Sequence, residues 1–352
     1  MKWSKTLIPT LREEPKDTEA LSHKLLLRAG YIRKLSSGVY SYLPLGFRVL
    51  RKICAIIEEE MLRAGADELS LPALHPAELW RKTGRYEALG EDKLAFKNRT
   101  GQEFVLGPTH EEVITELAGA YIKSHRDLPK TLFQIQTKFR DELRPRFGVI
   151  RTKEFIMKDA YSFDKDDAGL DESYRKMFEA YQRIFTRCGL PFRIVGADSG
   201  LMGGRASQEF MVECAFGEDI MIQCAACGYL ASRDIAERAG GEAKTGAESG
   251  NAPEPFDTPD LRTVDEITSR FKIKPERLIK TLIYIGDGKP VACLVRGDRE
   301  LNEAKLRKLC GFQTLIPAKA DEIQAVTGGP LGFSGPVGLR GSGLSRILIF
   351  WG

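Results

Sequence analysis

The residues with the greatest chemical capacity fall in one stretch: Phe139-Arg140-Asp141-Glu142, then Arg144, Arg146 and Arg151, then Glu154-Phe155-Ile156-Met157-Lys158-Asp159-Ala160-Tyr161-Ser162-Phe163. This predicts a strand, a loop dense in arginine, and a returning strand. A guanidinium is a planar fork that grips phosphate through two hydrogen bonds and keeps its charge throughout the physiological range. Several of them between two strands make a clamp for a polyphosphate, although such a loop alone is also consistent with a solvated basic surface. Glu142 can accept from an exocyclic amine, and Phe155 offers a flat face to a purine. A second cluster, Leu106-Gly107-Pro108-Thr109-His110-Glu111-Glu112, places a hydroxyl and two carboxylates at the head of a helical stretch. By itself this is a helix cap with an acidic first turn. Cys224-Ala225-Ala226-Cys227 has the spacing of half a zinc knuckle. A structural zinc takes four ligands, and neither a second such pair nor a nearby pair of histidines accompanies it. Two reduced thiols and no metal are the expectation.

The elements that must position these groups follow from periodicity. Apolar residues recur at helical spacing from Thr18 to Leu35 and again from about Phe47 to Ala64, where Gly65 supplies a stop. Glu68 to Pro72 reads as a strand with Pro72 at an edge or end. Further strands are expected at Ala95–Lys97, Glu103–Leu106, Thr131–Phe139, Phe155–Phe163, Phe192–Gly196 and Ser207–Cys214, with helices at Glu111–Lys123 and Asp171–Cys188. Strands that follow one another without a helix between each pair argue for an α+β fold, an antiparallel sheet flanked by helices. After about residue 222 the character changes. Residues 240–259 read as a linker, and beyond it a helix at Val264–Phe271, strands at Thr281–Gly286 and Pro290–Arg296, and a helix at Glu303–Cys310 predict a small mixed α/β domain. The expected domains are therefore 1–222 and 223–352.

Composition excludes some classes. The chain has 352 residues, 42% hydrophobic and 29% charged, the balance of an ordinary globular protein. No apolar run is long enough for a membrane helix, and no signal core follows the N-terminus. Seven scattered cysteines suit a reducing, cytoplasmic setting. The net charge of +4, from 53 basic and 49 acidic residues, permits a nucleic-acid face without demonstrating one.

The arginine-rich segment resembles motif 2 of the class II aminoacyl-tRNA synthetases, in the form found in bacterial prolyl-tRNA synthetases. Gly65 to Pro72, after the long helix, is similar to motif 1, which in the family builds a dimer interface. Leu106 to Glu112 resembles the family's threonine–glutamate loop, and Gly203-Gly204-Arg205-Ala206-Ser207-Gln208-Glu209-Phe210 a later active-site strand, with Gln208 where histidine is usual. Leu278-Ile279-Lys280-Thr281-Leu282-Ile283-Tyr284, Val295-Arg296-Gly297-Asp298, Leu301-Asn302-Glu303 and Gly332-Phe333-Ser334-Gly335-Pro336 look like its insertion, or editing, domain. The resemblance runs from residue 1 to about 340.

It implies a ligase that activates proline with ATP and Mg²⁺ and transfers it to tRNA(Pro). Thr109, Glu111, Arg140 and Ser207 would bind proline, and Arg140, Glu142, Arg151 and Phe155 would bind ATP. Arg140 and Arg151 would be the catalytic cations, bridging the reacting carboxylate and α-phosphate and holding the terminal phosphate. Lys280 would meet the tRNA end during hydrolysis of alanine mistakenly attached to that tRNA. A homodimer through motif 1 and no membrane association are expected. The family continues to motif 3 and an anticodon-binding domain, neither of which is in this sequence, and Gly343 to Gly352 does not resemble the family's continuation. The insertion domain is therefore expected to be partial, and the apolar Ile347-Leu348-Ile349-Phe350-Trp351 to be an aggregation-prone strand if unpaired. The alternative is a non-catalytic remnant that binds ATP, tRNA or a full-length subunit.

Overall fold

The computed structural model describes residues 2–16, 18–198, 207–237, 257–312, 314–336, 339 and 346–350. They fall into two compact units, Met1–Phe192 and Arg193–Gly352.

The first unit opens with helix α1 (Leu21–Arg28) and a hairpin of β1 (Ile32–Ser36) and β2 (Val39–Tyr42). The helix expected over Thr18–Leu35 therefore ends early. Gly30 turns the chain at φ +67°, and a Cβ there would lie 2.9 Å from the Pro9 carbonyl oxygen. Helix α2 (Pro44–Arg63) begins with proline in its first turn, where the missing amide costs no intrahelical bond. Next come β3 (Asp67–Glu68), β4 (Leu74–Pro76), α3 (Ala77–Lys82), α4 (Arg85–Ala88), β5 (Leu94–Lys97) and β6 (Glu103–Leu106). The unit closes with α5 (Glu111–Tyr121), β7 (Lys130–Phe139), β8 (Glu154–Phe163) and α6 (Asp167–Arg187), the last capped by Asp166 accepting from the Gly169 amide at 2.9 Å.

Strands β7 and β8 pair antiparallel over ten residues each, with β3 parallel to β7; β4, β6 and β5 form a second antiparallel sheet. The strand expected from Glu68 to Pro72 pairs only at its first residues. Beyond them side chains replace the ladder: the Leu71 amide donates to Gln134 Oε1 at 3.0 Å, and Gln136 Nε2 donates to the Leu71 carbonyl. Because side chains alternate along a strand, the β7–β8 ribbon has two faces. Phe133, Ile135 and Ala160 meet Met61 of α2 and Met177 of α6 on one. Leu132, Tyr161 and Phe163 meet Val113, Ile114 and Leu117 of α5 on the other. Between α2 and α6 the buried Glu60 receives Arg183 and Arg187, each at 2.7 Å, and Arg63 at 3.1 Å. Burial alone would raise the Glu60 pKa, but the guanidiniums outweigh it and hold the group charged.

The second unit holds β9 (Phe192–Ala197), β10 (Ser207–Val212), β11 (Met221–Gln223) and β12 (Leu230–Ser232) in one sheet of order β10-β9-β12-β11. The compact units thus divide near residue 192, thirty residues before the change of sequence character, because β9 bonds with β10 and β12 rather than with β8. There follow α7 (Val264–Phe271), β13 (Ile279–Gly286), β14 (Lys289–Arg296), α8 (Glu303–Cys310), β15 (Leu315–Pro317), α9 (Ala320–Thr327) and β16 (Arg346–Phe350). The apolar end is not an unpaired strand: β16 runs parallel to β14, from Val291↔Arg346 to Val295↔Phe350. Most of the expected linker, residues 240–256, lies outside the described residues, as do Gly203 to Ala206. Among the described residues no helix is long and apolar enough to cross a membrane, and no group of three His, Cys, Asp or Glu side chains could hold a metal ion.

Candidate active site

The α5-facing surface of the β7–β8 ribbon carries a line of polar groups in place of the apolar ones on its other face. Register sets Gln134 opposite Asp159, Lys138 opposite Phe155 and Leu132 opposite Tyr161. Lys138 is fully buried, with its ammonium 2.7 Å from Asp159 Oδ1. Asp159 Oδ2 accepts from Tyr161 Oη at 2.6 Å and from Gln134 Nε2 at 2.9 Å. Burial pushes the Lys138 pKa down against the pull of Asp159. For Asp159 the burial that would raise its pKa is outweighed by Lys138, Tyr161 and Gln134. Gln134 ties the pair to the Leu71 backbone. Burial and the neighbouring Asp159 raise the Tyr161 pKa, so its hydroxyl keeps its proton.

The segment Gly107–His110 and the head of α5 form the adjoining wall. Thr109 is buried and its hydroxyl donates to Glu111 Oε1 at 2.7 Å. Arg85 bridges the two carboxylates of the first turn, reaching Glu111 at 3.2 Å and the buried Glu112 at 2.9 Å, where Thr83 also donates at 3.0 Å. Beneath lies a pair of buried imidazoles. His75 and His110 both donate from Nε2 to the Pro72 carbonyl, at 2.9 and 3.0 Å, with ring centroids 4.6 Å apart. Trp80 Nε1 donates to His75 Nδ1 at 3.3 Å, which fixes the neutral tautomer. Burial first, then nearby positive charge, lowers both pKa values to about 4. Gly107 is required by this arrangement: a Cβ would sit 2.6 Å from His75 Cε1 and 3.1 Å from His110 Cε1.

The loop between β7 and β8 supplies the cations. Arg140 lies 5.3 Å over the Phe155 ring and donates from Nη2 to the Pro108 carbonyl at 3.4 Å, which ties it to the threonine–glutamate loop. Its amide bonds to the Lys153 carbonyl at 2.9 Å, closing the mouth of the ribbon. Arg146 and Arg151 form a backbone bridge, with N–O distances of 3.2 and 3.3 Å, and Arg151 Nε donates to Glu142 Oε2 at 2.8 Å. The first unit thus brings together Thr109, Glu111, Arg140 and Phe155, and pairs Glu142 with Arg151. Ser207 begins β10 and Lys280 stands near the head of β13, both in the second unit. Lys280 lines a cavity of about 580 Å³ with Thr281, Gly332 and Ser334. Residue typing alone gave no role to Arg85, Lys138, Asp159, Tyr161 or the His75–His110 pair. One signal for part of this set was present: Gln134, Gln136 and Lys138 alternate with Phe133, Ile135 and Thr137, the mark of a strand with one polar face.

Comparison with known proteins bears on this geometry. The model of the tRNA synthetase class II core domain (G, H, P, S and T) matches residues 94–253, and that of the aminoacyl-tRNA editing domain matches 258–349. The proline–tRNA ligase of Nitratidesulfovibrio vulgaris (strain DP4) is 53% identical over 341 residues, 97% of this chain and 59% of the relative. That of Syntrophus aciditrophicus (strain SB) is 54% identical over 353 residues, with the same shares covered. The crystal structure of prolyl-tRNA synthetase from Cryptosporidium parvum complexed with L-proline and AMP superposes with a TM-score of 0.48 at 16% identity, over 53% of this chain and 38% of that one. The chain spans about three fifths of the length of the curated relatives it matches. The chain carries a match to a class II synthetase core followed by a match to an editing domain, and over 97% of its length it is similar to proline–tRNA ligases.

Proposed function

We propose that this chain forms prolyl-adenylate from proline and ATP and passes the prolyl group to tRNA(Pro). The observation that carries the reading is the tie between Arg140 and the Pro108 carbonyl, which sets a fixed cation against the Thr109–Glu111 pair. Proline is cationic at nitrogen and anionic at its carboxylate. Glu111 faces the first charge, Thr109 offers a hydroxyl oxygen to it, and Arg140 faces the second. A carboxylate oxygen then bonds to the α-phosphorus while the bond to the β-phosphate oxygen breaks and pyrophosphate leaves. Two anions must approach each other, so preorganised positive charge is the principal catalytic device. Phe155 backs the purine, Glu142 accepts from its exocyclic amine, and Arg151 takes the terminal phosphate after leaving Glu142. Mg²⁺ bound to the triphosphate would supply neutralisation of part of its charge. Ser207 is assigned to proline by its motif.

The second unit, with Lys280 in its cavity, hydrolyses alanine wrongly attached to tRNA(Pro). Residues 1–222 serve as the catalytic part and 223–352 as the editing part. A homodimer through α2 and the segment after it, where Phe47, Val49 and Ile53 are exposed, and a cytoplasmic location complete the reading.

A second reading, a chain that binds ATP, tRNA or a full-length subunit without turnover, draws on the Arg151–Glu142 pair, in which two nucleotide-binding groups already satisfy each other. Thermal shift and isotope exchange separate the two. Under the first, proline and ATP each raise Tm, Arg140→Ala abolishes the proline shift, and proline-dependent exchange of pyrophosphate into ATP is measurable. Shifts without exchange favour the second. No shift from either ligand at millimolar concentration rejects the pocket itself.

A further inference from the structure

The cavity of the second unit has a directly paired cation and anion on its wall. Lys280, near the head of β13, and Glu300, in the loop after β14, both line it, with Nζ and Oε1 2.7 Å apart. They are held differently. The lysine side chain is 20% exposed, while that of Glu300 is 91% exposed. The loop bearing Glu300 is anchored two residues later, where Asn302 caps α8 by accepting from the Lys305 amide at 2.9 Å. An ion pair whose carboxylate stands in water is weak, because solvent screens most of the attraction. Such a pair is open to exchange: a ligand with one cation and one anion can replace each partner while leaving neither charge bare. Most of the remaining wall is apolar or neutral, including Ile267, Leu278 and Ile323, and its other charged residues are Arg262 and Asp265 at the head of α7.

An aminoacyl ester of a nucleotide carries this combination of charges. Its acyl end bears a free α-ammonium group, and its nucleotide end bears a phosphate. We propose that Glu300 recognises the α-ammonium of an aminoacyl ester in this cavity, exchanging its bond to Lys280 for one to the ligand and releasing Lys280 to the phosphate. The inference rests on the hydrolytic reading of the second unit given above. It adds a reader for the amino group, which makes the cavity selective for esters whose nitrogen is unblocked. Glu300 is a specificity residue here, and the bond-breaking step is left to other groups.

The test uses two stable probes, the 3′-amide-linked alanyl derivative of 3′-deoxyadenosine 5′-monophosphate and its N-acetyl counterpart, titrated into the 352-residue chain at pH 7. Hydrolysis of alanyl-tRNA(Pro) is followed in parallel. The wild-type chain is expected to bind the free amine more tightly than the acetylated probe by about three- to fivefold. Glu300→Gln should weaken the free amine by a similar factor, leave the acetylated probe within about twofold, and so remove the preference; Glu300→Asp should restore much of it. A preference that persists in Glu300→Gln, or a wild-type chain with none, overturns the assignment. Binding with the expected preference but no hydrolysis upholds Glu300 while rejecting the hydrolytic reading. Hydrolysis that ignores acetylation does the reverse. Glu300 stands in solvent, so neither variant threatens the fold.

Discussion

The two imidazoles under the threonine–glutamate loop should make the first unit sensitive to mild acid. Both are fully buried, both are neutral with Nε2 donating to one carbonyl, and both have pKa values lowered to about 4 from an ordinary 6.5. A folded-state pKa below the unfolded value means that the native state disfavours the proton. The stabilisation is therefore complete above pH 6.5 and is lost progressively as pH falls from there to about 4. At pH 5.0 each histidine should forfeit about 2 kcal/mol, and the pair about 4 kcal/mol, if they titrate independently. Trp80 is a built-in reporter, because protonation of His75 Nδ1 removes the acceptor of its indole N–H. The sequence has three tryptophans, Trp3, Trp80 and Trp351. A Trp3→Phe, Trp351→Phe background isolates the signal. Urea unfolding is followed by Trp80 emission at pH 7.5 and 5.0, with and without His110→Gln. A glutamine amide can donate to the Pro72 carbonyl but does not titrate in this range. Carboxylates common to both proteins cancel in the comparison, so the variant should lose about 2 kcal/mol less stability on acidification than its parent. Equal losses in the two proteins would refute the reasoning, since the imidazoles could not then be the groups that take up the protons.

Two further outcomes follow from the same neighbourhood. Gly107→Ala forces a methyl group to within 2.6 Å of the pinned His75 ring, and should cost about 1–3 kcal/mol in urea unfolding of the first unit; a wild-type midpoint would show that the rings can yield. Lys138→Met leaves the Asp159 carboxylate buried without its ion partner. It should cost about 3–5 kcal/mol and, by loosening Gln134 and Leu71, reduce the proline-induced rise in Tm; unchanged stability would mean that water reaches the site.

The sequence by itself determined the family resemblance, the order of the motifs and most of the regular elements of both units. These are properties of local residue type and spacing. Val264–Phe271 and Glu303–Cys310 were legible as helices to the residue, because each opens on a side chain, Thr263 or Asn302, that caps its first amides. Arg140, Phe155, Thr109 and Glu111 were legible as chemistry because a motif is a local string. Only the tertiary structure decided what stands behind them. Leu71 and Gln134 are sixty-three positions apart and His110 and Pro72 thirty-eight, so no periodicity links either pair, yet hydrogen bonds join both. The early end of α1 and the shortened β3 have the same origin, since Gly30 answers to Pro9 and Leu71 to the side chains of β7. Burial decided the charge states as well. A lysine or a histidine in a sequence has one ordinary pKa, and it was the walls built around Lys138, His75 and His110 that moved theirs.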